Sequence, residues 1–156
     1  SGNWKSKTFS SLSNFSIPNL VEIGERGMLE EASIVRDYMQ QGAHFYPMWK
    51  VRSELGIVGL CEELHHAYQG TDDVYVHFDM DVLGGAGPAP GDILGELAEP
   101  MGMSDYEIIR LAHEIGKRGL TGMSFICIPP GSMVTYRLIV YIIAFLIAGL
   151  ALSRGD

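Results

Sequence analysis

The sequence predicts an α/β fold in which a mainly parallel sheet carries helices on both faces. Short strand-like segments alternate with helix-like segments about four times along the chain, and this alternation is typical of βαβ units. The clearest strand, Val74–Phe78, is mostly apolar, as expected in a buried parallel sheet. With 156 residues, of which 47% are hydrophobic, the chain is long enough for one domain with a real core.

The first half of the chain begins with a polar segment and continues with a strand and two helices. Residues 1–18 are rich in Ser and are expected to be loosely held, and the folded domain is expected over 19–156. A short strand is predicted over 19–24, a helix over 29–41 and another helix over 62–70. We expect the first helix to end at Gly42 in a left-handed conformation. Its expected core contacts are Leu29, Ala32, Ile34, Val35 and Met39.

A long loop, a helix and a strand are predicted in the second half. Residues 84–103 are too rich in Gly and Pro for a regular element, and a loop of that length is usually functional. Ser104 and Glu107 have the spacing of a capping box, which predicts a helix start. The apolar face of that helix is predicted to consist of Ile108, Leu111, Ala112 and Ile115. The next strand is predicted over Met123–Ile128.

The carboxyl-terminal segment is strongly apolar and must be tested as a membrane span. Residues 138–152 contain no charged side chain, but a spanning helix needs about 20 apolar residues. We therefore predict a helix that is buried on nearly all sides and no membrane partner. The 19 acidic and 11 basic residues give a net charge of −8, which disfavours nucleic acid and anionic membrane surfaces as partners. Two cysteines are compatible with the reducing cytoplasm.

Two aspartates follow the clearest strand. Asp79 and Asp81 are two residues apart, and the period of a strand predicts that they lie on one side of it, close together. Two carboxylates so close repel one another unless a cation lies between them, and Mg²⁺ or Mn²⁺ suits such ligands. His77 is two residues earlier on the same side, so it is a candidate base, metal ligand or partner of a ligand.

The wider string around these aspartates resembles the arginase/agmatinase (ureohydrolase) family. The strand VHFDMDVL, a loop ending in PAPG and the segment AEPMGMS match that family's consecutive motifs. Residues 21–27, VEIGERG, are similar to its I-G-x-R-G segment, and residues 122–130 are similar to its pocket strand. The resemblance begins at about Asn19 and corresponds to the carboxyl-terminal half of the family's fold.

The resemblance implies a three-layer α/β/α fold and hydrolysis of a guanidino (linear amidine) C–N bond with release of urea. It implies a binuclear centre of manganese, or nickel in some members, with Asp79 and Asp81 as two of its ligands. A metal-bound hydroxide supplies the nucleophile in such a centre. The partners implied are a small guanidino substrate and homologous subunits of an oligomer.

The chain departs from the family pattern at several positions. The other metal-binding segments, of G-G-D-H and D-x-H-x-D type, do not occur in the sequence. Cys127 stands where the family has a glutamate that holds the guanidinium, so it is a candidate substrate-binding residue. His77 replaces a common serine.

Two carboxylates cannot hold a binuclear site, so this chain alone is expected to be inactive. It is then the carboxyl-terminal half of a longer enzyme, a chain completed by a missing amino-terminal half on another chain, or a non-catalytic subunit that stabilises an active homologue. Other ionisable groups have simpler interpretations. Glu62, Glu63, His65 and His66 are expected to form a solvated helix face.

Overall fold

Two parallel strand pairs and four α-helices of eight or more residues are the main elements of the part of the protein that the structure describes. The structure is a computed structural model, and it describes residues 12–26, 31–84 and 100–155. The predicted core residue Leu29, most of the leading segment and most of the long loop lie outside these ranges. The strands are β1 (Val21–Ile23), β2 (His44–Tyr46), β3 (Tyr75–Asp79) and β4 (Gly122–Ile126). The helices are α1 (Ala32–Gln40), α2 (Gly56–Glu63), α3 (Asp105–Arg118) and α4 (Met133–Arg154).

The strands pair as β1 with β2 and β3 with β4, and both pairs are parallel. This confirms the prediction of an α/β fold with parallel pairing. Within the described ranges the two pairs are not hydrogen-bonded to one another, but their carboxyl ends meet. The close contact is between Gly24, after β1, and the side chain of Val82, after β3. A Cβ at Gly24 would collide with that side chain, and the φ of +94° there also favours glycine.

The first helix differs from its prediction in the residues that it buries. Gly42 has the expected positive φ, but Ala32 and Met39 are exposed, and Ile34 and Val35 are only half-buried. The buried residue of α1 is Tyr38, which lies on the same face as Ile34 and Val35, four and three residues before it. The prediction was wrong for Ala32 and Met39, which lie away from that face, and it did not include Tyr38.

The segment between β2 and β3 also begins its helix earlier than predicted. A helical turn at Met48–Lys50 and a π-helical turn at Val51–Leu55 lead into α2, which the sequence analysis expected only from residue 62. Residues 64–68 form a 3-10 helix rather than a continuation of α2. Leu60, Cys61 and Leu64 are buried in the core from this segment.

Helix α3 confirms its prediction in detail. The Ser104 hydroxyl accepts a hydrogen bond from the Glu107 backbone N–H, and the Glu107 side chain accepts one from the Ser104 N–H. This capping box satisfies two backbone donors at the helix start. All four predicted apolar residues of α3 are buried. Just before the helix, Met103 pairs with Leu83, and only a glycine fits at 102 because a Cβ there would meet the backbone of Leu83 and Gly84.

Helix α4 packs against α3 on one side only. Its buried residues are Thr135, Leu138, Ile142, Leu146 and Gly149. The prediction of burial on nearly all sides was wrong, since only 28% of the most apolar 18-residue stretch is buried. Its exposed large apolar residues include Met133, Val134, Val140, Tyr141, Ile147 and Leu152. By length and composition α4 could cross a membrane, but core helices of soluble proteins meet the same criterion.

Candidate metal centre

Three ionisable side chains converge at the carboxyl ends of β3 and β4. Asp79 is the last residue of β3, and its pairing partner in β4 is Ile126, so Cys127 follows directly on the neighbouring strand. Asp81 lies in the 3-10 turn Met80–Val82 that follows β3. One ligand atom from each of Asp79, Asp81 and Cys127 can be chosen so that all three lie within 4.8 Å of one another. We call these three residues the carboxylate–thiol cluster.

The aspartates are brought together by a turn rather than by strand alternation. Strand alternation predicted both on one side of an extended strand, but β3 ends at Asp79 and a helical turn carries Asp81. The guanidinium of Arg26, after β1, donates a hydrogen bond of 2.7 Å to the backbone oxygen of Asp81. This contact ties the carboxyl end of β1 to the turn, and sequence reasoning missed it although Arg26 lies in the segment that resembles the family.

The pKa values of Asp81 and Cys127 are raised because the ionisable groups of the cluster are buried close together. Burial, followed by a hydrogen bond with Asp79 and the charge of Asp79, raises the pKa of Asp81 from 3.8 to about 6. Arg26 acts in the opposite direction on the Asp81 pKa. Burial and the two neighbouring carboxylates raise the pKa of the Cys127 thiol to about 12. A cation at this position would relieve both effects because it stabilises the ionised form of each group.

One carboxylate oxygen of Asp79 is buried without a hydrogen-bond partner among the described residues. This atom is Asp79 Oδ1. Buried carboxylate oxygens are normally hydrogen-bonded or bound to a metal. The carboxylates of Asp79 and Asp81 and the sulfur of Cys127 together form a donor set that fits a divalent cation.

His77 lies outside the cluster. Its side chain is exposed, and its Nδ1 is 2.6 Å from the Oγ of Ser124, the residue paired with it in β4. Among the described residues, the only group of three or more potential metal ligands that converge is the carboxylate–thiol cluster. A catalytic role for His77 therefore stays a prediction without a supporting contact at the cluster.

A second group of ionisable residues lies on β2 and the 3-10 helix 64–68. The rings of His44 and His66 are stacked with centroids 3.6 Å apart, and those of His65 and His66 are 3.9 Å apart. Glu63 accepts a hydrogen bond from Tyr46 and lies 3.4 Å from His66 Nε2. We call this the histidine cluster. The sequence analysis expected only a solvated face here because it could not place His44 beside His66.

Comparison with known proteins identifies the family to which this chain belongs. The model of the arginase family matches residues 2–148. The chain belongs to the arginase family. The arginase-like α/β fold predicted from the sequence is thereby confirmed, and the match covers both β3 and β4 of the carboxylate–thiol cluster. A comparison with curated proteins finds no match.

Solved structures of the arginase family share the fold. Formimidoylglutamase from Bacillus subtilis subsp. subtilis str. 168 is 20% identical with a TM-score of 0.73, over 89% of this chain and 43% of that one. Formiminoglutamase from Trypanosoma cruzi, solved with Mn2+2, is 21% identical with a TM-score of 0.74, over 93% and 48%. Proclavaminate amidino hydrolase from Streptomyces clavuligerus is 23% identical with a TM-score of 0.69, over 89% and 44%. The chain thus spans less than half the length of these proteins.

Proposed function

We propose that this chain is part of a metal-dependent hydrolase that cleaves the C–N bond of a guanidino or related linear amidine substrate. The observation that carries the proposal is the convergence of Asp79, Asp81 and Cys127 at the carboxyl ends of two parallel strands. Sites of open α/β sheets lie at that edge. Membership of the arginase family and the amidine chemistry in the names of similar proteins support the same reaction class.

Asp79 and Asp81 are the proposed metal ligands. Asp79 Oδ1 is the buried oxygen that needs a partner, and Asp81 carries the second carboxylate within the same cluster. When bound, a divalent metal lowers the pKa of its water ligand and so supplies a hydroxide nucleophile near neutral pH. Arg26 holds the turn that carries Asp81 through its backbone oxygen. The resemblance favours a binuclear manganese centre, with nickel as the alternative.

Further ligands must come from outside these residues. A binuclear centre needs more donors than two carboxylates and a thiol, and the sequence contains no D-x-H-x-D segment. The proposal therefore includes a missing amino-terminal half of the fold or homologous subunits in an oligomer as partners. We place the protein in the cytoplasm, where both cysteines, which form no disulfide, would stay reduced.

A second candidate function is a non-catalytic subunit that stabilises an active homologous partner. It is favoured by the absence from the sequence of the family's other ligand segments. In that case the carboxylate–thiol cluster would be a remnant of the family's site and would bind metal weakly or not at all.

The decisive experiment measures metal content and amidine hydrolysis together. We would purify the protein with any chains that accompany it, and determine bound Mn and Ni by elemental analysis and urea release with guanidino substrates. The Asp79→Asn/Asp81→Asn double variant is expected to lose its bound metal and at least about 100-fold in activity, because both charged ligands are removed. Asp37→Asn/Asp72→Asn is the matched control, since it removes two exposed carboxylates away from the cluster.

The outcomes separate the two functions. Unchanged metal content in the Asp79→Asn/Asp81→Asn variant would contradict the carboxylate assignment. Activity that survives this substitution, in a preparation that contains a homologous chain with D-x-H-x-D, would establish the non-catalytic subunit instead.

A further inference from the structure

We propose that Cys127 is a metal ligand, so that the ion held by Asp79 and Asp81 in this chain is bound by two carboxylates and one thiolate. The inference rests on the metal site of the proposed function. It changes the role expected for Cys127 from the resemblance, which was a contact with the substrate. It also changes the class of metal that the site prefers.

The sulfur of Cys127 lies close to both aspartates. Cys127 directly follows Ile126, the pairing partner of Asp79, so the strand pair sets the thiol beside the two aspartates. Its ligand atom lies within 4.8 Å of a carboxylate oxygen of Asp79 and of Asp81. Ligands of a tetrahedral ion, at about 2.0–2.3 Å from the metal, are about 3.3–3.8 Å apart. Small side-chain rotations would therefore bring all three atoms to a common ion.

A buried oxygen of Asp79 supports the same role for Cys127. Asp79 Oδ1 is buried and has no hydrogen-bond partner within the described residues, and it belongs to a carboxylate that is part of the cluster. A thiol that only filled space would leave this oxygen unsatisfied. A cation shared with Cys127 would satisfy it and would also compensate the charge of Asp81. The protein's other cysteine, Cys61, is buried in the hydrophobic core, and no converging set of potential ligands was found around it among the described residues.

The chemistry of the donor set then determines the preferred ion. Manganese is favoured by carboxylate and water ligands, whereas a thiolate favours zinc, cobalt or nickel. Binding transfers the proton of the Cys127 thiol to solvent and forms one metal–sulfur bond, with no change of oxidation state. We therefore expect the site to prefer Zn²⁺, Co²⁺ or Ni²⁺ over Mn²⁺.

Cobalt provides a direct readout of the metal–sulfur bond. The purified protein would be loaded with Co²⁺ and its near-ultraviolet absorption recorded, because a thiolate ligand gives an intense sulfur-to-cobalt charge-transfer band. The band is expected in the unsubstituted protein and in Cys61→Ala, which loses a thiol elsewhere. It is expected to be absent in Cys127→Ser and Cys127→Ala. In competition between Zn²⁺ and Mn²⁺, Cys127→Ser is expected to lose at least about 10-fold of its preference for zinc.

A second measurement does not depend on how the variants fold. In the unsubstituted protein, alkylation of Cys127 by iodoacetamide, followed by mass spectrometry, is expected to be slowed at least about 10-fold by Zn²⁺. Mg²⁺ at the same concentration is expected to have no effect, because it binds thiolate poorly.

The results distinguish this inference from the proposed function. Cobalt bound without a charge-transfer band, or equal zinc preference in Cys127→Ser, would overturn the role of Cys127. If the Asp79→Asn/Asp81→Asn variant still lost its metal, the carboxylate site would stand. A charge-transfer band in a preparation that contains the partner chains but hydrolyses no amidine would keep Cys127 as a ligand and contradict the hydrolase.

Discussion

At the contact between α3 and α4, two glycines bring helix backbones together, whereas at the carboxyl ends of β3 and β4 three ionisable side chains crowd around a buried oxygen. A Cβ at Gly116 would collide with the backbone of Leu146, and one at Gly149 would collide with the backbone of His113 and Lys117. The buried residues of the two helices are mainly apolar, and none of them is charged. The contact therefore buries apolar surface.

The carboxylate–thiol cluster has the opposite character. The pKa of Asp81 is raised to about 6, which means that the ionised cluster is unfavourable in the absence of a cation. Ionised side chains placed this close destabilise the folded protein unless a bound ligand offsets the repulsion. Such an arrangement is typical of functional sites, where stability and function require different residues. The comparison therefore predicts that damage to the helix contact lowers stability and leaves metal binding intact, whereas neutralising the cluster does the reverse.

The largest expected effect is at the helix contact. Gly149→Ala and Gly116→Ala should each lower the free energy of unfolding by about 3 kcal/mol, because the helices must separate to admit the methyl group. Alanine is the better helix former, so any loss is due to the contact rather than to propensity. Val140→Ala, on the exposed side of α4, is the control and should change the free energy by less than about 0.5 kcal/mol. Denaturant unfolding measures all three.

Equal stability of Gly149→Ala and Val140→Ala would contradict the close approach of the two helices. Metal content per folded molecule is the companion measurement. It should be unchanged in Gly149→Ala, because α4 contributes none of the three side chains of the cluster.

The next effect is stabilisation by bound metal. At a free metal concentration of 100 times Kd, the free energy of unfolding should rise by about 2.7 kcal/mol. Asp79→Asn/Asp81→Asn should abolish this increase, and His44→Gln, in the histidine cluster, should retain it in full. Thermal unfolding with and without a chelator measures the difference. If the stabilisation by metal disappeared in His44→Gln, the metal would bind at the histidine cluster and not at the carboxylate–thiol cluster.

Features that depend on local sequence could be predicted. The capping box at Ser104 depends only on residues three apart, so it could be identified from sequence alone. The aspartates were also evident, since two charges after an apolar strand are unusual, although the turn at residues 80–82 and not strand alternation joins them. Cys127 became a candidate only through the resemblance, because nothing in its local sequence indicates the neighbouring strand.

Features that depend on which elements pack together were missed. Residues 138–152 of α4 contain no charged side chain and predicted burial on nearly all sides, but only the face against α3 is buried. In the sequence, Gly116 and Gly149 predict less stable helices, because glycine is a poor helix former. Their role in the close contact is evident only when the two helices are packed together. The stacking of His44 on His66 joins residues 22 positions apart on different elements, and no pattern in the chain reports it.

A smaller effect concerns the pH dependence of the metal-free protein. Because the folded-state pKa of Asp81 lies above its ordinary value of 3.8, the folded state binds the proton more tightly than the unfolded chain. Stability from this group is complete below the ordinary value and is lost as the pH rises through about 6. Between pH 5 and pH 7 we expect a loss of about 1 kcal/mol, after allowance for solvent screening of a partly exposed group.

Asp81→Asn should remove that loss and make the metal-free protein more stable at pH 7. Unfolding in chelator at both pH values measures it, and Asp72→Asn, which neutralises an exposed carboxylate, should keep the slope of the unsubstituted protein. A steeper loss of stability in Asp81→Asn as the pH rises would contradict the crowding of charge at the cluster.

The smallest expected effect has the opposite sign and arises at the histidine cluster. Burial, followed by the charge of His66, lowers the pKa of His44 below 6.5, with Glu63 opposing and His65 and Lys50 reinforcing the shift. The folded state therefore resists protonation of His44, so this contribution is present above pH 6.5 and is lost as the pH falls through the lowered value. We expect its size to be below that of Asp81, because Glu63 opposes the shift and the side chain is only half-buried.

The contributions of Asp81 and His44 to the pH dependence of stability can be separated in the Asp81→Asn variant. In metal-free Asp81→Asn protein the rise in stability on acidification should be gone, which leaves a decline below pH 6.5 that His44→Gln should reduce. The reason is that glutamine carries no proton to gain, and the stacked ring of His66 then faces a neutral neighbour at every pH. If Asp81→Asn protein with and without His44→Gln declined equally between pH 7 and pH 5, the stack would be a packing contact without electrostatic consequence.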